Sequence, residues 1–327
     1  MLAASDVVAL PYDDSLTQAG LEYARQSLHY TYNRMALGHT ARLRKIVAGI
    51  AVELALVRHL EQASAPFDRL GSTHFTRRDL YDLALAGRRV DLKTAIVNQK
   101  SKIASLRRDP AWLLDAAALV PADQLESDTL QEADVYLFAF LAALEAGGPA
   151  EVRRALRAKQ PVYLLKTFEG QDWTGARKWR PVGPLALKSN AAAPVEVEIG
   201  GQGRDRESLV ERLRLQPRRR VVAAGDFYSV LYLHAPALPR AAIGMHSPAL
   251  KQTRLIPPED WGNIWVYGLG IWLAGYLTKN EFRKRSKRLA AGSAVKQYDR
   301  THAENWAVPV RALRPVSELL EAAKVNR

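Results

Sequence analysis

The sequence predicts a mixed α/β (α+β) fold, with a β-rich unit inserted in it or standing beside it. Three observations lead there. Thr17 to Leu60 carries helical spacing, two short β-like runs meet at a turn near Gly87, and from Pro161 to Ala235 brief β-like runs alternate with turns. At 327 residues the chain can bury a substantial core, as one large domain or two of ordinary size. Its 48% apolar and 25% charged residues are normal for a soluble globular protein.

The elements follow in order. Between Ala41 and Gln62, the residues Leu43, Ile46, Val47, Ile50, Leu54, Val57 and Leu60 recur at three and four positions, an amphipathic helix. Ser64-Ala65-Pro66 breaks it. Leu80–Ala84 and Arg89–Val97 read as strands, joined by Leu85-Ala86-Gly87-Arg88 as a hairpin turn. Asp109-Pro110 opens another helical stretch. Asp134–Leu144 is a strand or a short buried helix; its aromatic content and the flanking Gly147-Gly148-Pro149 favour the strand. Composition changes near Ala150, giving a first unit at 1–150 and a β-rich unit at 151–258. The latter holds the runs Val162–Phe168, Pro194–Ile199, Arg220–Ala223 and Phe227–His234. Residues 259–327 return to strand (Ile271–Leu277), basic helix (Lys279–Leu289), strand (Trp306–Val310) and a helix after Pro315. This tail is expected to complete the first sheet.

Composition excludes several classes. With zero cysteines there are no disulfides, thiolate zinc sites, iron–sulfur clusters or cysteine nucleophile. The absence fits a reducing cytoplasm. Met1 to Leu16 carries three aspartates and no basic residue, unlike a secretory or transit segment. No apolar run reaches the roughly 20 residues of a membrane span. Lys and Arg number 47 against 34 Asp and Glu, a net charge of +13, and 33 of the 47 are arginine. Arginine forks suit a polyanion such as nucleic acid, although a solvated basic surface has the same composition. There is no His-Glu-x-x-His, no Gly-x-x-x-x-Gly-Lys loop and no Gly-x-Ser-x-Gly elbow.

One constellation carries chemistry. Asp91-Leu92-Lys93 is the only acid-x-lysine triplet in the chain. On a strand, Asp91 and Lys93 point to one side while Val90, Leu92, Thr94 and Ile96 face the other. A tight turn lays Asp82 across from Asp91, where the two carboxylates repel unless a cation lies between them. Glu53 falls on the apolar face of its helix and needs a cationic partner there: a metal shared with Asp82 and Asp91, or Lys93, or an arginine. Oxygen ligands favour Mg²⁺ or Mn²⁺ over zinc. An exposed hairpin with polar residues outward is the plainer alternative.

The run from Tyr81 to Thr94, containing Asp82 and Asp91-Leu92-Lys93, resembles the core of the PD-(D/E)XK nuclease superfamily, the restriction-endonuclease-like fold. The resemblance covers about residues 40–100, and more loosely Asp134–Leu144 and the run Gly275-Tyr276-Leu277-Thr278-Lys279-x-Glu281-Phe282. It implies that Asp82 and Asp91 are metal ligands and Lys93 the catalytic lysine, with Glu53 as the helix acid. Tyr81 stands where the family's name has proline, and Asp91 where glutamate is more frequent. Asp79 is the alternative to Asp82.

The expectation is therefore an Mg²⁺- or Mn²⁺-dependent endonuclease acting on DNA, by family analogy in microbial defence, either in restriction or as an immune effector. Its rivals are a non-catalytic nucleic-acid-binding scaffold that keeps the fold, and an RNase or a transposase-like end-cutter. Gln99 and Lys100 after the hairpin are candidate phosphate contacts that read more readily as a solvated helix start, whereas Lys279, Arg283 and Lys284 in the basic run are equally readable as a phosphate clamp and as a solvated face. The mixed aromatic and basic stretch from Lys166 to Arg180, with Trp173, Arg177, Lys178 and Trp179, has the composition of a nucleic-acid platform or of ordinary core tryptophans. Cutting both strands takes two sites, which makes a homo-oligomer plausible, and the β-rich unit could receive substrate, a partner protein or an activator.

Overall fold

The structure is a computed structural model that describes residues 1–28, 37–71, 80–127, 129–168 and 179–325. Asp79 and the residues Trp173, Arg177 and Lys178 lie outside the described residues.

In chain order the first part contains β1 (Val8–Leu10), α1 (Asp14–Ser27), α2 (His39–Gln62), β2 (Phe67–Asp68), β3 (Leu83–Leu85), β4 (Arg88–Val97), α3 (Lys100–Arg108), β5 (Ala117–Pro121), α4 (Ala122–Ser127) and β6 (Val135–Leu144). The middle holds α5 (Pro149–Arg157), β7 (Leu164–Thr167), β8 (Ala186–Ser189), β9 (Val195–Gln202), β10 (Ser208–Leu215), β11 (Arg220–Val222), β12 (Ser229–Ala235), β13 (Ile243–Ser247) and β14 (Gln252–Ile256). The chain closes with β15 (Gly262–Asn263), β16 (Tyr267–Thr278), α6 (Lys279–Arg285), β17 (Lys287–Leu289), β18 (Asn305–Pro309) and α7 (Val316–Val325).

A six-stranded sheet in the order β1-β16-β6-β4-β3-β2 forms the centre. It is mixed: β4 and β6 run parallel, and every other pair is antiparallel. Strand β6 is its spine and is buried at every residue except Leu144, which is half-buried. Val135, Leu137, Ala139 and Leu141 face α1, α2 and α7. Tyr136, Phe138 and Phe140 face Ile103 and Leu106 of α3 and Phe282 of α6. Both faces are covered, which explains why this strand reads as an unbroken apolar run rather than an alternation. The last long strand, β16, pairs with β6 along its whole length and receives β1 on its other side.

Helices α1 and α2 approach closely because Gly20 has no side chain; a Cβ there would stand 2.8 Å from the backbone of Val47. Asp13 caps α1, accepting from the backbone N–H of Ser15 at 2.9 Å and of Leu16 at 3.3 Å. The buried Arg44 of α2 donates to the backbone carbonyls of Ile264 and Asn263 at 2.6 and 2.7 Å and pairs with Glu145 at 2.9 Å. It thereby fastens the helix layer to the segment entering β16.

The middle of the chain forms a five-stranded sheet, β10-β9-β12-β7-β15, and a four-stranded sheet, β11-β8-β13-β14. Leu164, Val197, Ile199 and Leu233 from the first pack with Leu187, Ile243, Met245 and Ile256 from the second in one core. A three-stranded sheet, β17-β18-β5, lies beyond α3 and α6. No helix among the described residues is long and apolar enough to cross a membrane.

Several boundaries differ from the sequence reading. The strand expected at Leu80–Ala84 is Leu83–Leu85, which leaves Asp82 just ahead of it, because only these residues pair with β4. The basic helix expected to reach Leu289 ends at Arg285, because Lys287–Leu289 is drawn into pairing with β18. The stretch opened by Asp109-Pro110 is a short 3₁₀ turn, Pro110–Asp115, leading into β5. Helix α6 itself is set by a capping box: Thr278 Oγ1 accepts from the Glu281 N–H at 3.2 Å, and Glu281 Oε2 accepts from the Thr278 N–H at 3.0 Å. Thr278→Ala should lower unfolding free energy by about 1 kcal/mol, measured by urea denaturation.

Candidate active site

The hairpin that builds the site turns tightly at Ala86-Gly87, both at positive φ (54° and 69°), between strands paired from Leu83↔Val90 to Leu85↔Arg88. Strand β3 then stops, while β4 continues alone on that side. The open edge of β4 is satisfied from outside the sheet. The Leu92 N–H donates to Asp82 Oδ2 at 2.5 Å, and the Ile96 N–H to the Tyr298 hydroxyl at 3.0 Å. Asp82 therefore stands just ahead of β3, across from Asp91, with its backbone N–H on the Val90 carbonyl at 3.0 Å.

Asp91 and Lys93 share one side of β4, as their spacing requires. Lys93 Nζ donates to Asp91 Oδ2 at 2.6 Å and to Gln124 Oε1 of α4 at 3.0 Å. It also lies 5.6 Å from the ring centre of Tyr136. The pair is recessed, with 11% of the lysine side chain and 20% of the aspartate exposed. Tyr136 comes into place because β6 runs parallel to β4 with Tyr136 beside Asp91.

Glu53 comes from α2, the layer on the Leu92 side of the strand. Its side chain is 15% exposed and pairs with Arg69, directly after β2. An arginine, one of the partners its helical position allowed, is present.

Asp82 lies between these two pairs. The residue as a whole is half-buried, but protein surrounds its carboxyl. Burial, and then the negative charge of Asp91, push the group up to about 8, against the pull of the Leu92 N–H; Glu53 adds to the rise and Lys93 opposes it. Burial and the Asp91 charge outweigh the pull of the Leu92 N–H and Lys93, so the Asp82 carboxyl favours its protonated form near neutrality. A folded-state value above the unfolded one means that the folded state holds a proton the unfolded chain has released. Stability without metal should therefore fall as pH rises from about 4 to about 8. Thermal melts over that range should show the slope in the wild type and a flattened slope in Asp82→Asn.

The donors are all carboxylate oxygens, the chemistry that suits Mg²⁺ or Mn²⁺. A buried carboxyl pushed upward by burial and by a neighbouring carboxylate is the feature that fits such an ion. Among the described residues, however, no three acidic or histidine side chains stand close enough to form a ready coordination shell. The reason is local: Asp91 is turned to Lys93 and Glu53 to Arg69, on opposite sides of the sheet edge.

The other sequence candidates lie elsewhere. Gln99 and Lys100 sit past the far end of β4, at least about 20 Å along an extended chain from Asp91. Gln99 donates to Asp299 at 2.5 Å, whereas Lys100 is exposed. Lys279 fits neither reading of the basic run, phosphate contact or solvated face. It is 9% exposed and donates to the Leu130 carbonyl at 2.9 Å, anchoring the loop before β6. Arg283 is exposed and pairs with Glu132 at 2.7 Å, and Lys284 is exposed. Trp179 lies 4.2 Å from the Arg206 guanidinium and forms an aromatic pair with Tyr228, so its ring is engaged within the protein.

Sequence reasoning missed Gln124, Arg69 and Tyr136. Only Tyr136 left a signal, as an aromatic on the strand that parallel pairing would set beside Asp91. Gln124 and Arg69 reach the site from a short helix and a loop with no pattern of their own.

No family model matches the chain, and comparison with curated proteins and with solved structures gives no match.

Proposed function

We propose that this chain is a divalent-metal-dependent nuclease of the PD-(D/E)XK type that hydrolyses phosphodiester bonds in DNA. The observation that carries the reading is the lysine–carboxylate site at the broken edge of the mixed sheet. Lys93 is fixed on Asp91, Asp82 is buried beside them, and Glu53 contributes its charge from the flanking helix. The order of elements supports it as well: helix, antiparallel strands, helix, then a strand parallel to the lysine-bearing one, with helices on both faces.

Asp82, Asp91 and Glu53 would hold the ion. When bound, it polarises the phosphate and lowers the pKa of a water. The protein's own residues supply the rest. Lys93, aimed by Asp91 and Gln124, stabilises negative charge growing on the phosphate or orients the attacking water. The rings of Tyr136, Phe138 and Phe282 close the floor beneath it. The surplus of arginine draws a polyanion in. Microbial defence, restriction or a triggered immune effector, is the setting this reading favours.

One observation favours a second reading, a nucleic-acid-binding scaffold without catalysis: Asp91 and Glu53 already have cationic partners. A cleavage panel of double-stranded DNA, single-stranded DNA and RNA, with Mg²⁺ and with EDTA, separates the two. Metal-dependent cutting of either DNA is expected. Cutting of RNA alone moves the substrate class, and no cutting, together with no Mn²⁺ binding, leaves the scaffold.

A further inference from the structure

We propose that the outer face of the four-stranded sheet, at the turn from Gln216 to Arg220, is a binding surface for the phosphate backbone of nucleic acid. This surface is separate from the Asp82–Lys93 edge and needs no metal, so it goes beyond the nuclease reading and does not depend on it.

The surface is built by register. Arg220 of β11 lies directly opposite Lys188 of β8, which lies opposite Gly244 of β13, which in turn lies opposite Leu255 of β14. Residues directly opposite in antiparallel strands share a face. Leu187 and Ser189, on either side of Lys188, are fully buried, whereas Lys188 and Arg220 are exposed, so this is the face turned away from the core. Two cations therefore stand side by side, a pairing that destabilises a sheet unless an anion lies between them. Arg218 and Arg219, in the turn just before Arg220, are exposed as well.

None of these four cations has a carboxylate partner among the described residues. Other exposed arginines do: Arg58 pairs with Asp13, Arg283 with Glu132 and Arg314 with Glu318. The acids of the adjoining strands are engaged away from the turn. Glu211 accepts from the N–H groups of Ala224 and Gly225 at 2.8 and 2.7 Å, Glu198 pairs with Arg212, and Glu196 lies opposite Arg214. The turn is also fixed in advance. The Arg218 N–H donates to the Ser189 carbonyl at 3.0 Å and the Arg219 N–H to the Gln216 carbonyl at 3.2 Å, so binding has no loose loop to order.

The residues beside the cations suit a backbone rather than bases. A Cβ at Gly244 would meet only the Lys188 carbonyl oxygen, at 3.9 Å, which leaves a shallow floor next to the charges. The next row holds Val222, Ala186, His246 and Thr253. Its one ring, His246, is turned to the Thr253 hydroxyl at 2.9 Å, so no aromatic platform is offered for stacking. Three of the four cations are arginines, whose forks match phosphate oxygens. Contacts of this kind hold nucleic acid without reading its sequence.

The test measures binding of a labelled DNA duplex to the full-length protein in EDTA, between about 50 and 200 mM salt. The variant Lys188→Gln/Arg219→Gln/Arg220→Gln should lower the slope of log affinity against log salt by about two to three, and weaken binding at least tenfold or so at low salt. A charge-matched control on α5, Arg153→Gln/Arg154→Gln/Arg157→Gln, should change the slope by less than about one. Lys188→Glu gives Arg220 an internal partner. It should weaken the duplex yet raise the melting temperature by roughly 1–3 °C, opposite signs that a purely structural role does not produce. An unchanged slope in the cluster variant overturns the proposal, and so does an equal fall in the α5 control, which would make the effect one of net charge alone. Loss of binding to anionic phospholipid vesicles in the cluster variant, with duplex binding unchanged, would assign the surface to a membrane instead and overturn it too.

Discussion

Lys93→Ala should reduce phosphodiester cleavage by at least about a thousandfold, the scale on which a single preorganised charge-stabilising group acts. The ammonium is held at three points, Asp91 at 2.6 Å, Gln124 at 3.0 Å and the Tyr136 ring at 5.6 Å, so no neighbouring cation can take its place without the same fixing. Its partner aspartate is 20% exposed, which lets water solvate the carboxylate left behind. The loss of rate should therefore exceed any loss of stability, and circular dichroism melts alongside single-turnover assays separate them. Asp91→Ala should match it in rate, because it removes a proposed metal ligand and the anchor of the lysine together. A Lys93→Ala protein that cuts at the wild-type rate removes Lys93 from the mechanism.

Phe282→Ala is expected to cost about 3–5 kcal/mol of unfolding free energy, a large share of the roughly 5–15 kcal/mol that holds a typical domain together. Phe282 is fully buried, its ring 5.7 Å from that of Phe138 and 5.5 Å from that of Tyr136. Truncation leaves a cavity against the aromatic wall on which Lys93 lies. Activity should then fall even well below the melting temperature, while Phe282→Leu retains most of both. Denaturant titration with parallel assays at low temperature checks the pair. Equal stability of Phe282→Ala and wild type contradicts the packing described for α6.

The main sheet was legible because its signals are local. The period-two alternation of β4 separates Asp91 and Lys93 from Leu92 and Ile96, and the two positive-φ residues at Ala86-Gly87 mark the turn. The unbroken apolar run of β6 announces a strand covered on both faces. What stayed hidden depends on contacts between distant residues. Lys279 sits in a run of basic residues that looks wet, yet the helix begins at that residue and its side chain turns back to the Leu130 carbonyl. Gln124 reaches Lys93 from 31 positions away. Arg69 meets Glu53 only because β2 is laid against β3. The carboxylates Asp82, Asp91 and Glu53 were named from sequence, but their division between two sides of a sheet edge was not, since it depends on where β3 ends.

The most direct test is anomalous diffraction from crystals of the wild type and of Asp82→Ala grown with Mn²⁺. The account predicts one strong peak in the wild type between Asp82 and Asp91, with Lys93 alongside and Glu53 turned toward it, and no peak there in the variant. A map with no density at the edge of β4, or a peak that persists after Asp82 is removed, contradicts it.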